Sequence, residues 1–382
     1  MTSPLALYLH IPFCAVRCHY CDFNTYAHLD ALFEPYASAL GEEVRRAGER
    51  QAFRVPTVFL GGGTPTVLPP RLLEQILRAT KDAFRLDPDA EITSEANPGT
   101  TDAELFAAMR SMGVNRLSMG VQSFDDAELS WLGRMHSAAE AETAYDAARR
   151  AGFDNINLDF MFGLPGQSLE TWSRTLDRAL ALAPDHISLY SLTVEHGTPL
   201  HDAVRRGVQA PPDEDKAADF YLLASDRLAA AGYEQYEISN WSRPGLACRH
   251  NLVYWHHEPY LGFGPGAHSF DGRRRWWNVR PVPQYIQRMN AGSSPERDGE
   301  SIDERLAMGE FMMLGLRLVA EGVADARFLS RFGVSLYTAF DEEIEGLVRR
   351  GLLERLPDRV RLTPTGQLLG NQVFAEFLPA SE

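Results

Sequence analysis

Cysteine is scarce in this 382-residue chain and lysine almost absent. Four cysteines are too few for a disulfide scaffold, and a chain of this length buries enough apolar surface to need none. Of its 37 basic residues only Lys81 and Lys216 are lysines, and 52 acidic residues leave a net charge of −15. That acidity argues against non-specific nucleic-acid binding. No uncharged apolar run reaches the ~18 residues of a membrane-spanning helix. Met1-Thr2-Ser3-Pro4 lacks a basic cluster ahead of an apolar stretch, so no secretory leader is expected and a cytoplasmic location is the default. What is present is ordinary globular material, with 45% apolar and 23% charged residues, enough for two or three domains.

Short apolar runs alternate with amphipathic stretches through the first half. Leu5–Ile11, Thr57–Leu60, Glu91–Glu95, Arg116–Val121, Asn155–Phe160 and His186–Leu192 read as strands. Thr101-x-x-Glu104 and Ser137-x-x-Glu140 read as capping boxes opening helices, and Gly113 and Gly152 as their C-terminal stops. Six βα units imply an α/β fold, a parallel sheet curved into a partial (β/α)6 TIM-like barrel. The expected divisions are a barrel over 1–195, an irregular extension over 196–292 and a C-terminal unit over 293–382. In the last, helices at Asp303–Ala320, Ala326–Phe332 and Leu336–Arg350 precede a hairpin, Leu352–Arg355 and Arg359–Leu362, an order like that of a winged helix. Residues 301–382 carry nine Arg and thirteen Asp plus Glu, which disfavours phosphate contacts and leaves packing or partner docking.

Three of the four cysteines, Cys14, Cys18 and Cys21, crowd into eight residues directly after the first strand. Their loop lies at the strand's C-terminal end, where barrel chemistry collects. Soft thiolates on a compact loop suit an iron–sulfur cluster. A zinc site would need a fourth ligand such as His10 or His19, and a metal-free structural role would give the thiols no reason to share one loop. Gly61-Gly62-Gly63-Thr64 ends the second strand, either as a tight turn or as exposed backbone for a ligand. Glu95 ends the third, where it is either a solvated carboxylate or a ligand contact.

Cys-x3-Cys-x2-Cys after a strand resembles the signature of the radical S-adenosylmethionine (SAM) superfamily. Leu7-Tyr8-Leu9-His10-Ile11-Pro12-Phe13-Cys14 is similar to the branch holding oxygen-independent coproporphyrinogen III oxidases and HemW-type heme chaperones. The resemblance implies that Cys14, Cys18 and Cys21 bind a 4Fe-4S cluster with one iron open to SAM, whose reductive cleavage is the superfamily's chemistry. It places Tyr8, Gly62 and Glu95 on SAM. It also matches Gly63, Thr64, Gln122, Arg134 and Asp159 to positions that bind a second SAM in the oxidases.

Two departures separate the branches. The oxidases carry a further cysteine where this chain has Phe23, and an N-terminal extension where this chain reaches its first strand within about seven residues. Cys21-Asp22-Phe23-Asn24-Thr25 and His250-Asn251-x-x-Tyr254-Trp255 match the HemW type, the latter its HNxxYW motif. An imidazole can ligate heme iron and the aromatics can line a porphyrin, so His250, Asn251, Tyr254 and Trp255 are candidate heme contacts. Alternatively His250 and Asn251 anchor a loop while the aromatics pack in the core. Cys248, His256 and His257 are nearby iron-ligand alternatives. The resemblance implies a chaperone that binds heme and delivers it to apo-heme acceptor proteins, membrane-bound respiratory enzymes among them. Peripheral contact with the inner membrane and a homodimer are compatible with it. The alternative is an oxygen-independent coproporphyrinogen III oxidase. No catalytic residue is assigned.

Overall fold

A computed structural model describes residues 4–49 and 53–379, so Met1–Ser3, where the absence of a leader was read, lie outside the described residues. Six parallel strands run in chain order: β1 (Ala6–Ile11), β2 (Arg54–Gly62), β3 (Arg85–Ala96), β4 (Arg116–Gln122), β5 (Ile156–Phe162) and β6 (His186–Ser191). Each neighbours the next in parallel register. Between them helices α1 (Phe33–Gly48), α2 (Pro70–Ala83), α3 (Ala103–Ser111), α4 (Asp126–Trp131), α5 (Ala138–Arg150) and α6 (Leu169–Leu182) return the chain. Side chains alternate across each strand. Leu7, Leu9, Val58, Leu60, Leu117, Met119, Leu158 and Phe160 are sealed in the main apolar core, while the alternate positions of the same strands carry polar groups.

The stretch from 196 to 301, which shows little periodicity, adds strands of three to six residues to both edges. After α7 (Pro199–Arg205) and α8 (Glu214–Ala230), strands β7 (Glu234–Glu237) and β8 (Asn240–Ser242) extend the sheet beside β6. Past α9 (Arg249–Trp255), strand β9 (Tyr260–Phe263) joins β1 in parallel, a seventh parallel strand where six were expected. Strands β10 (His268–Phe270), β11 (Arg274–Asn278) and β12 (Glu296–Ser301) continue antiparallel, giving a twelve-stranded sheet. Strands this short show too few alternations to register as a period.

Local signals were mixed. Ser137 and Glu140 form the reciprocal capping box, but the cap of α3 is Asp102, not Thr101, because its carboxylate accepts from the Leu105 N–H at 2.8 Å. Gly113 and Gly152 take the left-handed conformation expected of helix stops. The C-terminal residues build a second apolar core around Phe311, Phe328, Phe340, Leu347 and Phe374. There α10 (Glu304–Gly315) and α11 (Asp325–Phe332) are followed by two helices in place of the expected one, Leu336–Ala339 and Asp341–Arg349. The break falls at Phe340, whose backbone leaves the helical region while its ring is fully buried. The hairpin Leu353–Arg355 with Arg359–Leu362 forms as read, joined by a short third strand, Val323–Ala324.

Candidate cofactor site

The cysteine loop leaves β1 at the C-terminal end of the sheet, and all three thiols on it are half-buried. It is stitched to the glycine loop ending β2, since the Gly63 N–H donates to the Ile11 carbonyl (2.8 Å) and the Thr64 N–H to the Phe13 carbonyl (2.7 Å). Side chains at Gly62 and Gly63 have no room: a Cβ on the first would meet the His10 ring, and on the second the Phe13 carbonyl. Gly62 also has φ +112°, which only glycine adopts without strain. Fifty residues separate Cys14 from Thr64 in the chain, and the fold joins their loops into one cradle.

Every thiol has a polar neighbour. The Thr64 hydroxyl donates to Cys14 Sγ at 3.7 Å, the Arg134 guanidinium to Cys18 Sγ at 3.7 Å, and Thr25 Oγ1 lies 3.9 Å from Cys21 Sγ. Burial pushes the Cys14 and Cys21 thiols up from their ordinary values. Among the described residues no three His, Cys, Asp or Glu side chains group as ligands of a single metal ion. Three half-buried sulfurs on one loop, with a guanidinium beside them to offset negative charge, fit a thiolate-held iron–sulfur cluster.

Glu95, at the end of β3, accepts the Gly62 N–H at 2.9 Å. Burial and then the nearby Asp159 push its carboxyl up to about 8. Asp159 is itself raised by burial, although Ser118 (3.0 Å) and Asn157 (2.7 Å) donate to it. The Tyr8 hydroxyl meets His10 Nδ1 at 3.0 Å, and His10 Nε2 meets the Asn24 carbonyl at 3.0 Å. Tyr8, Glu95 and Asp159 point inward yet keep accessible surface, so the barrel is hollow at this end. Gln122 ends β4 with φ +70°, a strained position for a residue with a side chain. Arg134 reaches back to the Gly120 carbonyl at 2.7 Å, bringing Gln122 and the cysteine loop to the same wall.

Thus the eight side chains and glycines assigned to SAM gather with the three thiols at the barrel mouth. The HNxxYW residues do not. Helix α9 crosses the opposite end, where its start is held by Glu91: the Arg249 and His250 N–H groups donate to that carboxylate at 3.1 and 3.0 Å. The His250 ring is 1% exposed. One nitrogen bonds Thr57 Oγ1 (2.9 Å) and the other the Tyr254 hydroxyl (3.0 Å), and the ring stacks on Phe59 at 5.1 Å. Burial holds the imidazole down at about 3. Thr57 precedes Gly62 by five residues, about 16 Å along the strand. Iron ligation by His250 would break both bonds, so the loop-anchoring alternative describes what is seen. Asn251 lies beside Tyr236, and the Trp255 ring is covered by the Arg317 guanidinium at 4.5 Å, away from the mouth. His257, against Glu310 at 3.3 Å, and Cys248 are buried, and the partly exposed His256 has its Nε2 held by Glu321 at 3.1 Å.

Sequence reading missed the polar layers between the two ends. Glu91, Arg116, Asn157 and His186 are sealed inside the barrel, with His186 Nδ1 on Asn157 (2.7 Å) and Ser188 on Asn240 (2.6 Å). A signal existed: Glu91-Thr93-Glu95, Arg116-Ser118, Asn157-Asp159 and His186-Ser188 each repeat at period two on the face opposite the apolar one.

Residues 8–179 match the Radical SAM superfamily and residues 302–369 the HemN C-terminal domain. A protein of Bacillus subtilis strain 168 described as "Heme chaperone HemW" is 39% identical over 376 residues, 97% of this chain and 98% of its own. The Escherichia coli K12 protein of the same description is 37% identical over 388 residues, 98% of each. Among solved structures, the E. coli coproporphyrinogen III oxidase HemN, described as a radical SAM enzyme, superposes with a TM-score of 0.86 at 24% identity. That match covers 98% of this chain and 90% of the oxidase, a likeness of fold.

Proposed function

This chain belongs to the HemW heme-chaperone family of radical SAM proteins, and on that premise we propose that it binds a 4Fe-4S cluster, SAM and heme, and passes the heme to apo-heme acceptor proteins. The observation that carries the cofactor half is the cradle: three thiols, the Gly62 N–H and the Glu95 carboxylate meet where β1, β2 and β3 end. Cys14, Cys18 and Cys21 would hold the cluster, whose bound form supplies one-electron chemistry toward SAM. Glu95 and the Gly61–Gly63 backbone receive the methionyl ammonium, with Tyr8 lining the wall beside them. Gly63, Thr64, Gln122, Arg134 and Asp159 offer hydrogen bonds to the nucleoside. The acceptors proposed include respiratory enzymes. No helix among the described residues is long and apolar enough to cross a membrane.

Glu95 gives a direct check on the SAM site. Loss of a hydrogen bond to a charged ligand group costs about 1.5–3 kcal/mol, so Glu95→Ala should weaken SAM roughly ten- to a hundredfold while leaving cluster assembly intact. An ammonium prefers an ionised partner, and ligand-free Glu95 ionises only near pH 8. Wild-type affinity should therefore climb as pH rises toward about 8, and Glu95→Gln should flatten that climb. Equilibrium titration across pH reads both; affinity unchanged in Glu95→Ala removes this residue from the site.

The chaperone reading is tested by two assays on anaerobically reconstituted protein. Heme should bind, and coproporphyrinogen should remain unconverted in the presence of SAM and a low-potential reductant, with a working oxidase run alongside. The motivation is family membership together with Phe23, 64% exposed beside the cysteines where the oxidases carry a fourth thiol. Turnover to protoporphyrinogen would overturn it.

A further inference from the structure

Heme uptake requires an iron ligand that solvent can reach, and His250 is closed. Of eleven histidines, His10, His136, His186 and His250 have both ring nitrogens in hydrogen bonds within the protein. His256 is held through Nε2 by a 3.1 Å hydrogen bond to Glu321, His257 is buried against Glu310, and His268 lies on Trp277 with the rings 27° from parallel. Three of the remaining four meet at one place. The His196 and His201 rings pack 4.8 Å apart, and the Leu200 N–H donates to the carbonyl of His19, in the cysteine loop, at 3.0 Å. Helix α7, which carries His201, is thereby tied to the edge of the barrel mouth.

That edge also exposes apolar surface. Phe23 and Val16 stand out from the cysteine loop, Met135 (56% exposed) from the loop between α4 and α5, and Tyr190 from the end of β6. In a parallel sheet all three segments open onto the same C-terminal end. Charge is complementary too: Arg17 on the cysteine loop and Arg205 and Arg206 at the end of α7 are exposed, on a chain otherwise acidic by 15 charges. A flat apolar ring bearing an iron and two carboxylates needs these three features together.

We propose that heme docks on this rim, between the cysteine loop and α7, with His201 as its axial ligand. The inference rests on the heme-chaperone reading above and names the site for it. The His201 side chain is 28% exposed and its Nδ1 lies 3.7 Å from the Asp202 carboxylate, beyond hydrogen-bond reach, so its ring is not held by the protein and is open to an iron. Binding forms one Fe–N bond and displaces a solvent ligand from the iron. His196 walls the ring, the exposed aromatic and aliphatic groups cover the porphyrin face, and the arginines meet its propionates.

The test is a hemin titration of the full-length chain followed by difference absorption. His201→Ala should move the Soret band and weaken binding by about tenfold or more. Added imidazole should restore the wild-type band in His201→Gly, a rescue that a merely structural histidine would not show. Both His201 variants should keep the wild-type melting temperature, because the ring is partly exposed and holds no internal hydrogen bond. A wild-type Soret band in His201→Ala and His201→Gly overturns the site and leaves the heme reading standing. A wild-type chain that takes up no hemin overturns both.

Discussion

Cys14→Ala, Cys18→Ala and Cys21→Ala should each abolish the iron–sulfur chromophore of anaerobically reconstituted protein, whereas Cys248→Ala should keep it. Two thiolates hold a four-iron cluster poorly, so the expected loss is near complete in each variant of the loop. Cys248 has the same chemistry in the wrong place. It is fully buried at the far end of the barrel, its thiol donates to the Glu91 carboxylate at 3.6 Å, and burial pushes it up to about 12, where no thiolate forms at neutral pH. Iron and sulfide analysis reads the outcome. Loss of iron in Cys248→Ala as well would sink the three-thiolate arrangement with its open iron.

His250→Ala is expected to destabilise the barrel by about 2–4 kcal/mol, the combined cost of a cavity and of leaving buried hydroxyls unpaired. The hydroxyls are those of Thr57 and Tyr254, which the ring bridges at 2.9 and 3.0 Å. The sign of the pH dependence follows from burial. The folded imidazole is held near 3 against 6.5 in the open chain. Between those values the unfolded state takes up a proton that the folded state refuses. The stability His250 contributes is therefore fully present above about pH 6.5 and is lost as pH falls toward 3, so the difference between wild type and His250→Ala should shrink over that window. Denaturant titrations at pH 7.5 and pH 5 measure it. Meanwhile the heme spectrum should stay that of the wild type; a shifted Soret band in a folded His250→Ala protein would return this residue to the list of iron ligands.

Much of the cofactor site was legible because its signals are local. Cys14, Cys18 and Cys21 announce themselves by spacing, and the loop that carries them follows a strand readable from its own apolar run. Gly62 and Glu95 were legible as strand ends, although the hydrogen bond joining them crosses between neighbouring strands and becomes a fact only when β2 and β3 pair. Arg134 shows the limit. Nothing around it distinguishes a surface ion-pair partner from a side chain that reaches the Cys18 sulfur, because the turn that aims it is set by Gly120 and Gln122 on a strand twelve or more residues away.

By itself, then, the sequence determined the alternation of six strands with helices, the thiol loop, and a second core in the C-terminal residues, since each depends on periodicity or spacing within a few tens of residues. Tertiary structure alone decided where the HNxxYW helix goes. Its histidine, asparagine and aromatics are equally suited to a porphyrin and to a core, and only closure of the barrel brought Glu91, Thr57 and Phe59 around them from strands some 160 to 190 residues earlier. The same closure sealed Arg116, Asn157 and His186 and left Tyr8, Glu95 and Asp159 lining a hollow mouth. A side chain's chemistry is written in its residue type; whether water, a ligand or the protein itself satisfies it depends on what the rest of the chain packs against it.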